Sequence, residues 1–180
     1  MNNTSKNFNE FLVIGIILVV ALLRIIPHYP NVTPLAAIAL LGGAAFRKKW
    51  LAFLIPMAAL LLSDMYLGFH EYMIPVYASF ILIVCIGLLV RKISILKVFF
   101  ASIGASTLFF LVTNFSVWAG STFYPQTFAG LISCYAAGLP FYYAGLAGDL
   151  FYSGLVFGAY FFMHQRLQAF DLRKINQPAP

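Results

Sequence analysis

The sequence predicts an all-α integral membrane protein, a six-transmembrane-helix bundle with both termini in the cytoplasm. Three observations predict it. Of the 180 residues, 62% are hydrophobic and 9% charged, against roughly 25% charged in a soluble domain. The mean hydropathy is +0.91, and the apolar residues gather in long runs parted by short polar stretches. Ten of the eleven basic residues fall where six crossings would put them on one side, as the positive-inside rule expects of cytoplasmic loops.

The spanning segments are read as 11–27, 34–46, 50–68, 73–90, 97–117 and 126–164. The first follows Lys6 but is long and lacks an A-x-A cleavage pattern, so it is read as a retained helix and not a signal peptide. The second is short: thirteen residues rise about 20 Å, against a hydrocarbon core of about 30 Å. It spans only if Arg47 and Lys48 snorkel and Thr33 and Pro34 begin inside the membrane. Pro34 suits a first helical turn. Segments three to five are ordinary in length.

The sixth, at 39 residues, is too long for one ordinary crossing. Pro140 and the glycines at 138, 145 and 148 are expected to break it. A seventh crossing would carry Arg166, Arg173 and Lys174 to the outside. A re-entrant or interfacial piece over 126–140, then a helix over 141–164, keeps them inside. The chain thus divides into a cytoplasmic tail (1–10), a transmembrane domain (11–164) and a second cytoplasmic tail (165–180). No internal repeat or low-complexity linker stands out.

Composition and motifs exclude several functions. The net charge of +6 lies in short clusters between apolar runs, which is a topology signal and not a nucleic-acid surface. There is no P-loop, so the chain does not hydrolyse ATP by that route, and neither G-x-S-x-G nor H-E-x-x-H occurs. Cys85 and Cys134 lie inside apolar runs and read as small buried residues. No cofactor and no metal site is expected. The N-x-[ST] sequons at Asn31 and Asn114 carry little weight.

The remaining polar residues fall toward the outer side. Arg24, His28, Tyr29 and Asn31 occupy the first outer connection. Asp64, His70 and Glu71 mark the second, and Asn114, Trp118, Tyr124 and Gln126 surround the third. Asp149 lies in the last segment. Such convergence describes a small-molecule pocket open to the outside. Carboxylates in spanning segments usually face the bundle interior with a partner. Arg24, the lone outer cation, can pair with Asp64 or Asp149, snorkel to headgroups, or touch a ligand; the sequence leaves these open. His28 and His70 suit interfacial hydrogen bonds as well as ligand contact, and Trp118 suits an interfacial anchor.

The stretches "RIIPHYPNVTPLAAIALLGGAAF", "LIPMAALLLSDMYLGFH" and "FLVTNFSVWAGSTFYPQTFAGLISCYAAGLPFYYAGLAGDL" resemble a family of small bacterial membrane proteins regarded as transport proteins. That family in turn resembles the substrate-binding S components of energy-coupling-factor (ECF) vitamin transporters. The resemblance implies a six-helix bundle in the bacterial inner membrane that captures one vitamin-like or cofactor-precursor molecule from outside. It implies that the first loop acts as a lid and that helices four to six supply much of the pocket. The expected site is Arg24, His28, Tyr29, Asn31, Asp64, His70, Asn114, Trp118, Tyr124 and Asp149. The expected partners are a small-molecule substrate, the lipid bilayer and a transmembrane coupling subunit with ATPases. S components dock that subunit through an A-x-x-x-A face on an early helix. Here Gly42, Gly43 and Ala44 make the second segment slender, but the A-x-x-x-A itself is Ala101–Ala105 on the fifth. These five residues are the expected partner interface.

Other readings are a proton- or cation-coupled carrier using Asp64 and Asp149, an intramembrane enzyme using Asp64, His70 and Glu71, and an assembly protein using its small-residue faces.

Overall fold

A computed structural model describes residues 3–22, 31–90 and 93–175, with side chains described between 10 and 166 of those stretches. Six α-helices follow one another: α1 (Asn3–Leu22), α2 (Leu35–Ala45), α3 (Lys49–Leu67), α4 (Met73–Leu89), α5 (Ile95–Gly120) and α6 (Phe128–Ile175). Among the described residues there is no strand. Arg24, His28 and Tyr29 lie outside the described residues.

Three helical stretches are long and apolar enough to cross a membrane: Lys49–Leu67, Ile95–Gly120 and Phe128–Arg166. Glu10–Leu22, Leu35–Ala45 and Met73–Leu89 are shorter and apolar. The outside of the bundle is covered by large apolar side chains, with Ile74, Leu89, Ile95 and Phe123 each at least 80% exposed. A water-facing surface rarely carries so much contiguous apolar area, whereas an apolar surrounding accepts it.

The hub of the bundle is α2. It packs against each of the other five helices, and Leu35 through Gly43 are all buried. A helix that is apolar all round has no solvent-facing side. This accounts for its length: eleven residues rise about 16 Å, too little to span, but α2 is sheathed by protein and has no bilayer to match.

Two glycines let α2 sit this deep. A Cβ on Gly42 would lie 2.6 Å from Cγ of Pro56 on α3, and one on Gly43 would lie 2.8 Å from the Gly87 Cα on α4. The Gly43–Gly87 crossing brings two backbones together with nothing between them, as small residues permit at helix crossings. Ala44 is half-buried, while Ala101 and Ala105 are buried. The small residues expected to form a partner interface are thus mostly packed inside the chain. The open small pair is Gly154 and Gly158, where an added Cβ would meet nothing within 4 Å.

The last helix corrects an expectation. No break occurs near Pro140: α6 is continuous from Phe128 to Ile175. The proline ring removes one backbone donor, but its side chain is exposed on the outer surface, where the ring meets no neighbouring helix. Pro56 also lies inside a continuous helix, α3, but there the ring is buried and packs against Gly42 of α2. The helix starts where Thr127 accepts the Gly130 N–H at 3.1 Å, a side-chain N-cap. The expected tails are also partly helical, since α1 begins at Asn3 and α6 ends at Ile175.

Three buried hydroxyls cost little in this core because they bond to their own helix. Ser63, Ser79 and Ser102 donate to carbonyls three or four residues back at 2.7–2.8 Å.

Candidate functional site

One end of the bundle opens into a cavity of about 500 Å³. Its walls come from the 31–36 stretch, the end of α3 with the turn that follows, the start of α4, the second half of α5 and the first half of α6. Among the described residues, no lysine or arginine lines it. Lys48, in the α2–α3 turn, approaches Glu10 of α1 at 3.8 Å, and Arg166 stacks its guanidinium on Phe162, 5.0 Å from the ring centre, far along α6.

The rim is shaped by a close approach. Residues 31–32 lie flat against α6, where a Cβ on Gly148 would come within 2.9 Å of Val32 Cγ1 and 3.2 Å of its Cα. The Asn31 carbonyl would be 3.5 Å from a Cβ on Gly145. Asn31 sits at φ 63°, the left-handed region that asparagine tolerates better than most residues. A turned backbone on two glycines thus brings the end of the first connection onto the cavity's edge.

Of the expected site residues, four line the cavity together: Asn31, His70, Asn114 and Asp149. Asn114 Nδ2 donates to the Phe110 carbonyl at 2.9 Å, and its Oδ1 nests into the notch left by Gly138. His70 is exposed at the rim. Asp149 is 8% exposed, and its Oδ2 accepts the Ser106 hydroxyl at 2.6 Å.

Asp64, Trp118 and Tyr124 are not on the cavity wall. Asp64 is buried on α3 and accepts the Tyr77 hydroxyl of α4 at 2.8 Å, a tie between neighbouring helices. Trp118 Nε1 donates to the Pro125 carbonyl at 3.0 Å, and Gln126 Nε2 donates to the Trp118 carbonyl. Together they hold the α5–α6 loop shut. Among the described residues, no three His, Cys, Asp or Glu side chains gather as a metal group would require.

The structure adds residues that sequence reasoning passed over. Ser106, Thr113 and Tyr142 supply hydroxyls to the wall, and Phe80, Phe109, Phe110 and Phe141 supply rings. Phe110 and Tyr142 have centroids 4.9 Å apart, Phe80 and Phe109 5.6 Å apart. The Tyr142 hydroxyl is held 3.0 Å from Thr107 Oγ1. A mostly apolar chamber rich in aromatic rings, with a few placed polar groups, has the composition of a small-molecule site. A second, smaller groove of about 380 Å³ lies between the start of α5 and the second half of α6, lined by Phe99, Gly154, Phe157 and Gly158 among others.

Comparison with known proteins adds a family but no function. No curated protein and no solved structure matches the chain. A family described as of unknown function, DUF6580, has a model that matches residues 4–170, and the chain therefore belongs to that family.

Proposed function

We propose that the chain crosses a bacterial inner membrane six times, with both termini in the cytoplasm, and captures a small vitamin-like or cofactor-precursor molecule from the outer side for uptake. In this reading it acts as an ECF S-component-like subunit. It carries no P-loop, so an energising coupling subunit with ATPases would supply the work.

The observation that carries the reading is the cavity: about 500 Å³, mostly apolar with several aromatic rings, and placed at the end of the bundle away from Lys48 and Arg166. With the basic end cytoplasmic, the cavity opens outward. Its volume lies within the roughly 300–1,000 Å³ typical of ligand sites. The described part of the first connection, Asn31 to Thr33, forms its rim, as a loop closing over substrate would require.

Mass spectrometry of small molecules released from protein purified in native lipid nanodiscs tests this. A stoichiometric ring-bearing molecule is the expected result; protein carrying only phospholipid, in cells where deleting the gene leaves small-molecule uptake unchanged, would sink it.

A second reading, a stand-alone proton- or cation-coupled carrier, draws on Asp149, a buried carboxylate within an apolar helix. It predicts accumulation in vesicles holding this protein alone, collapsing with the proton gradient.

A further inference from the structure

We propose that the cavity is selective for positive charge: its ligand is a small ring-bearing cation, with a quaternary or protonated nitrogen set against Asp149 and its ring among the aromatic side chains. This rests on the capture reading above and adds the chemical class of the ligand.

Asp149 carries the argument. Among the described residues it is the one carboxylate on the cavity wall, and no lysine or arginine lines it. Its hydrogen-bonding partner is Ser106, and that donor is shared. The Ser106 Oγ lies 2.6 Å from Asp149 Oδ2 and 3.0 Å from the Ser102 carbonyl, yet a hydroxyl has a single proton to give. A carboxylate this buried is costly without a counter-charge. The fold places it on a ligand cavity with less than one full donor.

The aromatic wall selects in the same direction. Ring faces carry negative quadrupole potential and attract cations, more so when water is excluded. Phe110 and Tyr142 stand side by side within the same wall that holds Asp149. A neutral ligand would supply no counter-charge and leave the carboxylate to be neutralised by a proton. An anion would meet like charge in an apolar site. His70, the one imidazole among the lining residues, sits at the exposed rim and leaves the deep end to Asp149.

The test uses the full-length protein in nanodiscs at neutral pH and three soluble probes that share a pyridine ring. 1-Methylnicotinamide is a cation, nicotinamide is neutral and nicotinate is an anion. Binding is read by the thermal shift and by titration of intrinsic fluorescence. The cation is expected to bind on the order of tenfold more tightly than the neutral probe, with the anion weakest. Asp149→Asn should bring the cation down to the neutral probe's affinity and leave nicotinamide unchanged. If that variant fails to fold, Phe110→Leu serves instead and should weaken the cation more than the neutral probe.

Tighter binding of nicotinate or nicotinamide overturns the charge assignment while small-molecule capture stands. Equal cation affinity in a folded Asp149→Asn variant overturns it as well. Should none of the probes bind, the charge of any co-purifying molecule decides: a cation supports the proposal, a neutral or anionic molecule ends it. No probe binding and no co-purifying molecule removes both this proposal and the capture reading.

Discussion

Gly43→Ala and Gly154→Ala add the same methyl group to two helices of one bundle, and the structure assigns them opposite signs. A Cβ on Gly43 would sit 2.8 Å from both the Cα and the carbonyl carbon of Gly87, about 1 Å inside normal carbon–carbon contact. The obstacle is backbone on a second helix, so no rotamer change relieves it. α2 and α4 must move apart along the whole crossing. Overpacking of this kind costs about 3 kcal/mol, and replacing a helical glycine by alanine returns about 1 kcal/mol. The net is a destabilisation of about 2 kcal/mol. At Gly154 an added Cβ meets nothing within 4 Å, so only the gain of about 1 kcal/mol remains. For a chain of this size each kcal/mol moves the melting point by about 2–4 °C. Gly43→Ala should therefore melt about 4–8 °C below the parent and Gly154→Ala about 2–4 °C above it. Thermal unfolding of the purified proteins in one detergent, followed by tryptophan fluorescence, reads the difference directly. A Gly43→Ala protein as stable as Gly154→Ala would refute the close α2–α4 crossing.

Tyr77→Phe removes a hydroxyl donor from the buried Asp64 carboxylate and should cost about 2 kcal/mol, seen as a melting point lower by about 4–8 °C; an unchanged value would mean the bond contributes nothing. Asn31→Val puts a β-branched residue at φ 63° and should cost about 1–2 kcal/mol. Because Asn31 also rims the cavity, ligand affinity should fall with it, as titration would show. Trp118→Phe deletes the bond to the Pro125 carbonyl. The 121–127 loop should then be cut faster by chymotrypsin after Phe123, and unchanged cleavage would show that the bond does not hold the loop.

The element limits were legible where apolar runs end on charges, prolines or glycine. The expected 34–46 and 73–90 became Leu35–Ala45 and Met73–Leu89, within a residue at each end, because Pro34, Arg47, Tyr72 and Arg91 bracket them. Pro140 misled for a physical reason. A mid-helix proline costs one intrahelical bond and crowds the carbonyl four residues back, but the rest of a long packed helix carries the backbone through it, as at exposed Pro140 and at buried Pro56. In the site, Asn31, His70, Asn114 and Asp149 were legible as polar residues in apolar surroundings. Asp64 was drawn in by the same logic, but its face of α3 looks at Tyr77 and away from the cavity. Ser106 was missed because a serine among small residues reads as packing. The rings were missed because α5 carries phenylalanine around its circumference, with no period to mark an inward face.

The burial of α2 also orders how the protein can be made. Its roughly 16 Å of apolar helix has half the length the bilayer interior asks for, so it cannot settle as an independent insertion unit. In a bilayer it would have to enter paired with α3, through the Gly42–Pro56 contact, and it would keep a bare flank until Gly87 of α4 arrives. The chamber closes later still, since α5 and α6 supply Ser106, Asn114 and Asp149 and pack extensively on each other. Completion of the chamber is thus the last step for a nascent chain, and a molecule filling it would hold together the two helices synthesised last.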